Sequence, residues 1–300
     1  MSEFLNNCGM GWLPDYPDFR DQKVDTNIVS DKLKTLGQKK SVKEMLAKVG
    51  VENIHPKTSK TPVSLQEWFS EVEDQGSLGS CTANAGVGLV EYFEKRAFNR
   101  YVDASRLFLY KATRNLMKET GDNGAFLRST MGAMVLFGVP PEEYWPYVIA
   151  DFDKEPTAFC YSFAQNYQAM TYYRLDPPGT VKKELLERIK TNIDGGLPSM
   201  FGFTVYSSIY DVKADGQIPY PGKGEKIVGG HAVVAAGYDD KIKIKNAPSA
   251  GALMIRNSWG KSWGANGYGW LPYDYVLKGL AVDWWSLLKN EWVETGNFRV

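Results

Sequence analysis

Asp74-Gln75-Gly76-Ser77-Leu78-Gly79-Ser80-Cys81-Thr82-Ala83 sets a cysteine directly after a glycine-rich turn, at the head of a helical run from Cys81 to Phe98. The last turns of that run carry Glu91, Glu94, Lys95 and Arg96. Ser80 stands at the N-cap position. Unpaired amides and the helix dipole stabilise negative charge at such an end, so a thiol there leans toward thiolate. Gln75 lies six residues earlier, where its side-chain amide can point back across the turn toward the cysteine. The alternative is a buried cysteine acting as a small hydrophobe. This stretch alone leaves both readings open.

The rest of the chain narrows the chemistry. In 300 residues there are two histidines, His55 and His231, and three cysteines, Cys8, Cys81 and Cys160. Without a CxxC pair or a histidine cluster, no metal or other cofactor is expected. Three cysteines are too few for a disulfide scaffold. His55 precedes Pro56 in a polar stretch, which leaves His231 as the candidate base of the core, in Gly229-Gly230-His231-Ala232-Val233-Val234-Ala235-Ala236-Gly237-Tyr238. A histidine opening an apolar strand is otherwise an ordinary core residue. A third stretch, Ile255-Arg256-Asn257-Ser258-Trp259-Gly260-Lys261-Ser262-Trp263-Gly264, offers an amide that can accept from an imidazole and an indole that can shield the bond. Its plain reading is an asparagine opening a turn.

Composition excludes several classes. Thirty-five basic and 35 acidic residues cancel, so nothing electrostatic argues for nucleic acid or an anionic membrane as partner. The 43% apolar and 13% aromatic content suffices for a real core. No apolar run reaches the roughly 18 residues of a membrane span. Met1-Ser2-Glu3-Phe4-Leu5-Asn6-Asn7 lacks the basic and apolar segments of a secretory signal. The expectation is therefore a cytoplasmic chain, one exported by a non-standard route, or one whose signal was removed. Gly260-Lys261-Ser262-Trp263-Gly264 matches the GxSxG elbow of serine hydrolases, but that fold needs a histidine after the serine and none follows Ser262. There is no GxxxxGK[ST] phosphate loop, and Gly86-Val87-Gly88 has Glu91 where a third glycine is needed.

Along the chain, Trp12-Leu13-Pro14-Asp15-Tyr16-Pro17-Asp18-Phe19-Arg20 reads as extended, because each proline restricts itself and its predecessor. Residues 21–60 hold no aromatic residue and carry nine lysines against five acids, which predicts a flexible or loosely docked arm. Within it, Ser41-Val42-Lys43-Glu44 is a capping box opening a short helix that Gly50 ends. The main domain is expected from about Thr61. Further helices are predicted at Ser105–Lys118 and Leu127–Gly138, then strands at Ser199–Tyr206, Ala232–Tyr238 and Ala252–Arg256. Helices first and strands later indicate an α+β protein of two lobes, helical over about 75–168 and β-rich over about 169–300.

Taken together, the Gln-Gly to Gly-Ser-Cys turn, the Gly-His-Ala strand and the Asn-Ser-Trp-Gly to Gly-Tyr stretch resemble the papain-like cysteine peptidases, in the family's order, over residues 61–300. His231 lies 150 residues beyond Cys81 and Asn257 a further 26. The family places both partners about 130–150 residues beyond the cysteine, so the histidine fits and the asparagine overshoots modestly. Secreted members have Cys-Gly-Ser-Cys-Trp where this chain has Leu78-Gly79-Ser80-Cys81-Thr82, and Gly-Cys-Asn-Gly-Gly where it has Gly121-Asp122-Asn123-Gly124-Ala125. Both halves of the family's disulfide are thus absent, a style similar to the bacterial and archaeal branch. The resemblance implies a helical lobe and a β-rich, barrel-like lobe with the active-site cleft between them.

It also implies roles. Cys81 is the nucleophile of an endopeptidase, ion-paired with His231, which lowers such thiols to a pKa of about 3–4. Asn257 orients the imidazole, and Gln75 with the Cys81 amide forms the oxyanion hole. Trp259 and Trp263 roof the His231–Asn257 pair. Gly124, Ala125 and Gly230 line the cleft and contact substrate backbone; Ala125 in place of a second glycine narrows it. Met200 lies beside a specificity pocket or is a core methionine. The partners expected are a peptide or protein substrate and the chain's own N-terminal segment as inhibitor, in a monomer. Removing residues 1–60 should then raise hydrolysis, and a structural arm packed on one lobe is the competing reading. Cys8 is incidental, or caps a reactive thiol under oxidation. Two other functions stay open: acyl transfer to an amine by a transpeptidase or ligase, and binding by an inactive papain-like scaffold.

Overall fold

The computed structural model describes residues 8–51, 62–168 and 171–298. His55 and Thr61, and with them the expected domain boundary, lie outside the described residues.

The cysteine-headed run forms helix α3 (Cys81–Phe98), after two short helices, α1 (Asp31–Thr35) and α2 (Val42–Lys48). Most of α3 is buried, so it is the spine of the molecule. Its charged last turn is not a solvated face. Glu91 is buried and accepts from Ser70 Oγ (2.5 Å) and Ala104 N (3.0 Å), and Arg96 is buried against Tyr92 Oη (2.7 Å) and Asn297 O (3.0 Å). Helices α4 (Arg106–Met117) and α5 (Leu127–Phe137) pack beside it. Ser105 caps α4 by accepting from Phe108 N, and Gly138 ends α5 at a φ of 75°.

The second lobe is one seven-stranded sheet. Its strands are β2 (Val63–Ser64), β4 (Thr171–Arg174), β5 (Ser199–Tyr206), β6 (Ile227–Asp239), β7 (Ala252–Arg256), β8 (Tyr268–Pro272) and β9 (Ala281–Leu288). Their order is β4-β9-β5-β6-β7-β8, with β2 added to β6, every pairing antiparallel. The sheet stays open, with β4 and β8 at the ends of its path, and α3 packs on β6. Among the described residues, no helix is long and apolar enough to cross a membrane.

The leading segment is docked more firmly than its composition suggests. The capping box of Ser41 and Glu44 forms, and Val42, Met45 and Leu46 of α2 are buried in the main core. Three well-spaced apolar residues anchor that stretch without any aromatic. Before it, Trp12–Leu13 forms strand β1, which pairs in parallel with β3 (Ala125–Phe126).

Candidate active site

The turn, the strand and the amide-tryptophan stretch converge where α3 meets β6. Cys81 is completely buried, and its Sγ accepts from the backbone N–H of Ala232 at 3.4 Å, beside His231 on the same strand. His231 Nε2 lies 2.7 Å from Asn257 Oδ1. Its Nδ1 is buried with no hydrogen-bond partner. Trp259 stacks on the imidazole at 4.5 Å, and Trp263 meets Trp259 edge-on at 5.7 Å, so the indoles cover the ring in two layers.

Gln75 is held from both ends. Its Oε1 accepts from Ser258 Oγ at 2.5 Å, which aims Nε2 at Leu78 O (2.7 Å) and Gly9 O (3.0 Å). Ser258 went unassigned in the sequence, although it stands inside the Asn-Ser-Trp motif. Ser80 does not cap α3. Its Oγ bonds Tyr147 Oη at 2.6 Å, and Tyr147 also donates to Gln75 O at 3.0 Å, which ties the turn to the helical lobe.

Asp122 occupies the position where the family's stretch has a cysteine, and its carboxylate accepts from Gly79 N (2.9 and 3.1 Å) and from Tyr110 Oη (2.6 Å). Hydrogen bonds thus join the two segments that lack the disulfide. Gly124, at a φ of 78°, follows in the same loop, its N–H bonded to Tyr110 Oη.

Residues 8–15 run through this cleft. Gly11 N lies 3.3 Å from Cys81 Sγ, Ala125 N donates to Gly11 O at 2.7 Å, and Gly9 N donates to Gly76 O at 2.8 Å. A Cβ on Gly124 would fall 2.1 Å from Gly11 O, and one on Gly230 2.9 Å from Trp12 O. Gly124, Ala125 and Gly230 therefore all touch the chain's own segment. Met200 is buried in the sheet, paired with Val234 and Trp285. Cys8 sits half-buried at the head of the segment, and Cys160 is buried in helix α6 (Ala158–Ala164).

Under this cover burial works against charge on both reacting groups. Burial pushes the Cys81 thiol up to about 11, against backbone N–H groups led by Ala232 and Gly11. Burial likewise pushes His231 down to about 4, against its bond to Asn257. Thiol and neutral imidazole are the forms this state favours. Elsewhere, Glu73, Asp103 and Glu142 lie close together, but Arg106 bridges Glu73 (3.0 Å) and Glu142 (2.9 Å), so a guanidinium already fills that group.

The sequence model described as "Papain family cysteine protease" matches residues 60–278. An uncharacterized peptidase C1-like protein of Acanthamoeba polyphaga mimivirus is 36% identical over 231 residues, 75% of this chain and 71% of that protein. Cathepsin K of Gallus gallus is 29% identical over 207 residues, 67% of this chain but 54% of its own length. The crystal structure of xylellain, a cysteine protease from Xylella fastidiosa, superposes with a TM-score of 0.71 at 30% identity, covering 94% of this chain and 96% of that one. This chain belongs to the papain family of cysteine proteases, and it is a hydrolase of that family.

Proposed function

We propose that the chain is an endopeptidase whose Cys81, His231 and Asn257 cleave peptide bonds through a thioester, held closed in this state by residues 8–15. Cys81 attacks the carbonyl as its proton passes to His231. Gln75 Nε2 and the Cys81 amide receive the oxyanion. His231 then protonates the leaving amine, and water releases the acyl group. Asn257 keeps the imidazole facing the sulfur, and Trp259 keeps water from that bond.

The observation that carries the closed state is the Gly11 N–H at Cys81 Sγ. A cleavable peptide brings a carbonyl carbon to the sulfur, whereas this segment brings a donor, in parallel alignment with β3. It blocks the cleft without being a substrate. Its cover also removes the water that would stabilise a thiolate and an imidazolium.

The burial of Cys81 equally suits an inactive binding scaffold, and one experiment separates the two. Cys81 alkylation by iodoacetamide is followed against pH in the full chain and in Trp12→Ala, with the labelled peptide identified by mass. The endopeptidase reading expects slow labelling in the full chain and fast labelling well below pH 7 in the variant, lost on His231→Ala. Labelling that rises only near the roughly 8.5 of an ordinary thiol in both proteins supports the scaffold instead. Adding an amine nucleophile to the peptide assay distinguishes hydrolysis from transfer by its products.

A further inference from the structure

Strand β5 reads Ser199-Met200-Phe201-Gly202-Phe203-Thr204-Val205-Tyr206, and a glycine in the middle of a buried strand marks close approach by something else. Here that is the indole of Trp12. A Cβ on Gly202 would lie 1.9 Å from its Cε2 and 2.3 Å from its Nε1. On β6, a Cβ on Gly230 would lie 2.8 Å from its Cε3. Two glycines on adjacent strands therefore open a slot in which the ring lies against bare backbone, only 8% exposed.

Strand β9 supplies the slot's polar end. Gly202 pairs with Val282, and the next residue, Asp283, is buried at a φ of 57°. Its carboxylate accepts from Arg174 Nη2 (2.7 Å) and from Asp15 N (2.8 Å). The Trp12 indole N–H closes no hydrogen bond of good geometry, yet it is among the groups that hold the Asp283 proton affinity down. Arg174 is shared by Asp283 (2.7 Å), Asp176 (2.9 Å) and Asp21 (3.6 Å), so the Asp283 carboxylate keeps acceptor capacity at this end for an N–H donor such as that of the indole.

The slot adjoins the sulfur, because Trp12 directly follows Gly11, whose N–H meets Sγ and whose carbonyl is held by Ala125. We propose that the slot floored by Gly202 and Gly230 and ended by Asp283 is the specificity pocket of this peptidase, shaped for a flat aromatic side chain and for tryptophan above all. Trp12 fills it as the side chain of a substrate would. This rests on the endopeptidase reading, and it adds which peptides are cut: those with tryptophan on the acyl side, close to the cleaved bond.

The test uses the full chain carrying Trp12→Ala, which empties the slot. Quenched fluorescent peptides differ only in bearing Trp, Phe, Leu or Arg at each of the three positions before the cleaved bond. At one position kcat/KM for Trp should exceed Leu and Arg by about tenfold or more, the scale on which a shaped pocket discriminates. Adding Gly202→Val should abolish that preference. Equal rates for all four residues at every position would overturn the proposal. If no peptide is cut, the endopeptidase reading fails, and the slot is judged by binding to the Trp12→Ala chain: N-acetyl-tryptophanamide tighter than N-acetyl-leucinamide upholds an indole slot, and equal or weaker binding overturns it. The same comparison decides the case if Gly202→Val does not fold.

Discussion

Gln75 has no freedom left to turn. Ser258 Oγ fixes its carbonyl end, so the amide nitrogen can only face the cleft. On the proposed mechanism, Gln75→Ala removes a donor that matters most when charge develops on the carbonyl oxygen. Turnover measured in the Trp12→Ala background should fall by about 10²–10³, with KM nearly unmoved. Ser258→Ala leaves that donor present but free to rotate, and should lower kcat in the same direction by a smaller factor. Ser258→Thr, which keeps the hydroxyl, should restore most of the loss. A Ser258→Ala enzyme with unchanged kcat would show that the Leu78 carbonyl alone holds the amide.

Among the elements, the loop at 121–124 and the turn at 76–80 behave as one piece because Asp122 accepts from both Gly79 N and Tyr110 Oη. Hydrogen bonds to a charged acceptor contribute about 1.5–3 kcal/mol each, so Asp122→Ala should lower unfolding free energy by roughly 2–3 kcal/mol, read from the urea midpoint. Asp122→Asn should recover part of it. The same pair of segments shows what the sequence could and could not reveal. Helices α3, α4 and α5 and strands β5 and β7 were legible because periodicity, caps and glycine stops act over a few residues. The convergence of Cys81, His231 and Asn257 was legible through motif order. Three features were not. Ser80 bonds Tyr147 rather than capping α3, a tertiary contact that local preference cannot anticipate. Residues 21–60 read as a flexible or loosely docked arm, yet within them Val42, Met45 and Leu46 are spaced to bury one face of α2. Gly202 read as one more residue of a strand, since only the ring lying against it reveals its purpose.

Across the whole molecule, hydrogen bonds fasten the arm at Asp15. Its carboxylate accepts from Trp285 Nε1 (2.8 Å) and Arg128 N (3.2 Å), beside Asp283, Arg128 and Arg174. Burial, then the Asp283 charge, push Asp15 up to about 7, against about 3.9 for a free aspartate. This group's support for the closed form is complete below about pH 4 and is lost as pH rises to 7. Cys81 and His231 are both held neutral when covered, and forming their open ion pair moves one proton between them, so together they add little pH dependence over the same range. Asp15 alone then sets the net proton count, so opening should grow as pH rises from about 4 to 7 in the native chain. Asp15→Asn, which mimics the protonated acid, should leave the arm more firmly closed at neutral pH and flatten that rise. The ¹⁹F resonance of fluorotryptophan at position 12 reports this directly, and identical pH curves for both proteins would deny Asp15 any part in fastening the arm. The parallel run of β1 along β3 has one more consequence. A tethered segment meets its site at an effective concentration on the order of millimolar, however dilute the protein. On the proposed reading it is not consumed, since it brings an N–H donor and no carbonyl carbon to the sulfur. On the proposed closed state, such a gate would reopen while peptide is abundant and shut again when the supply is exhausted.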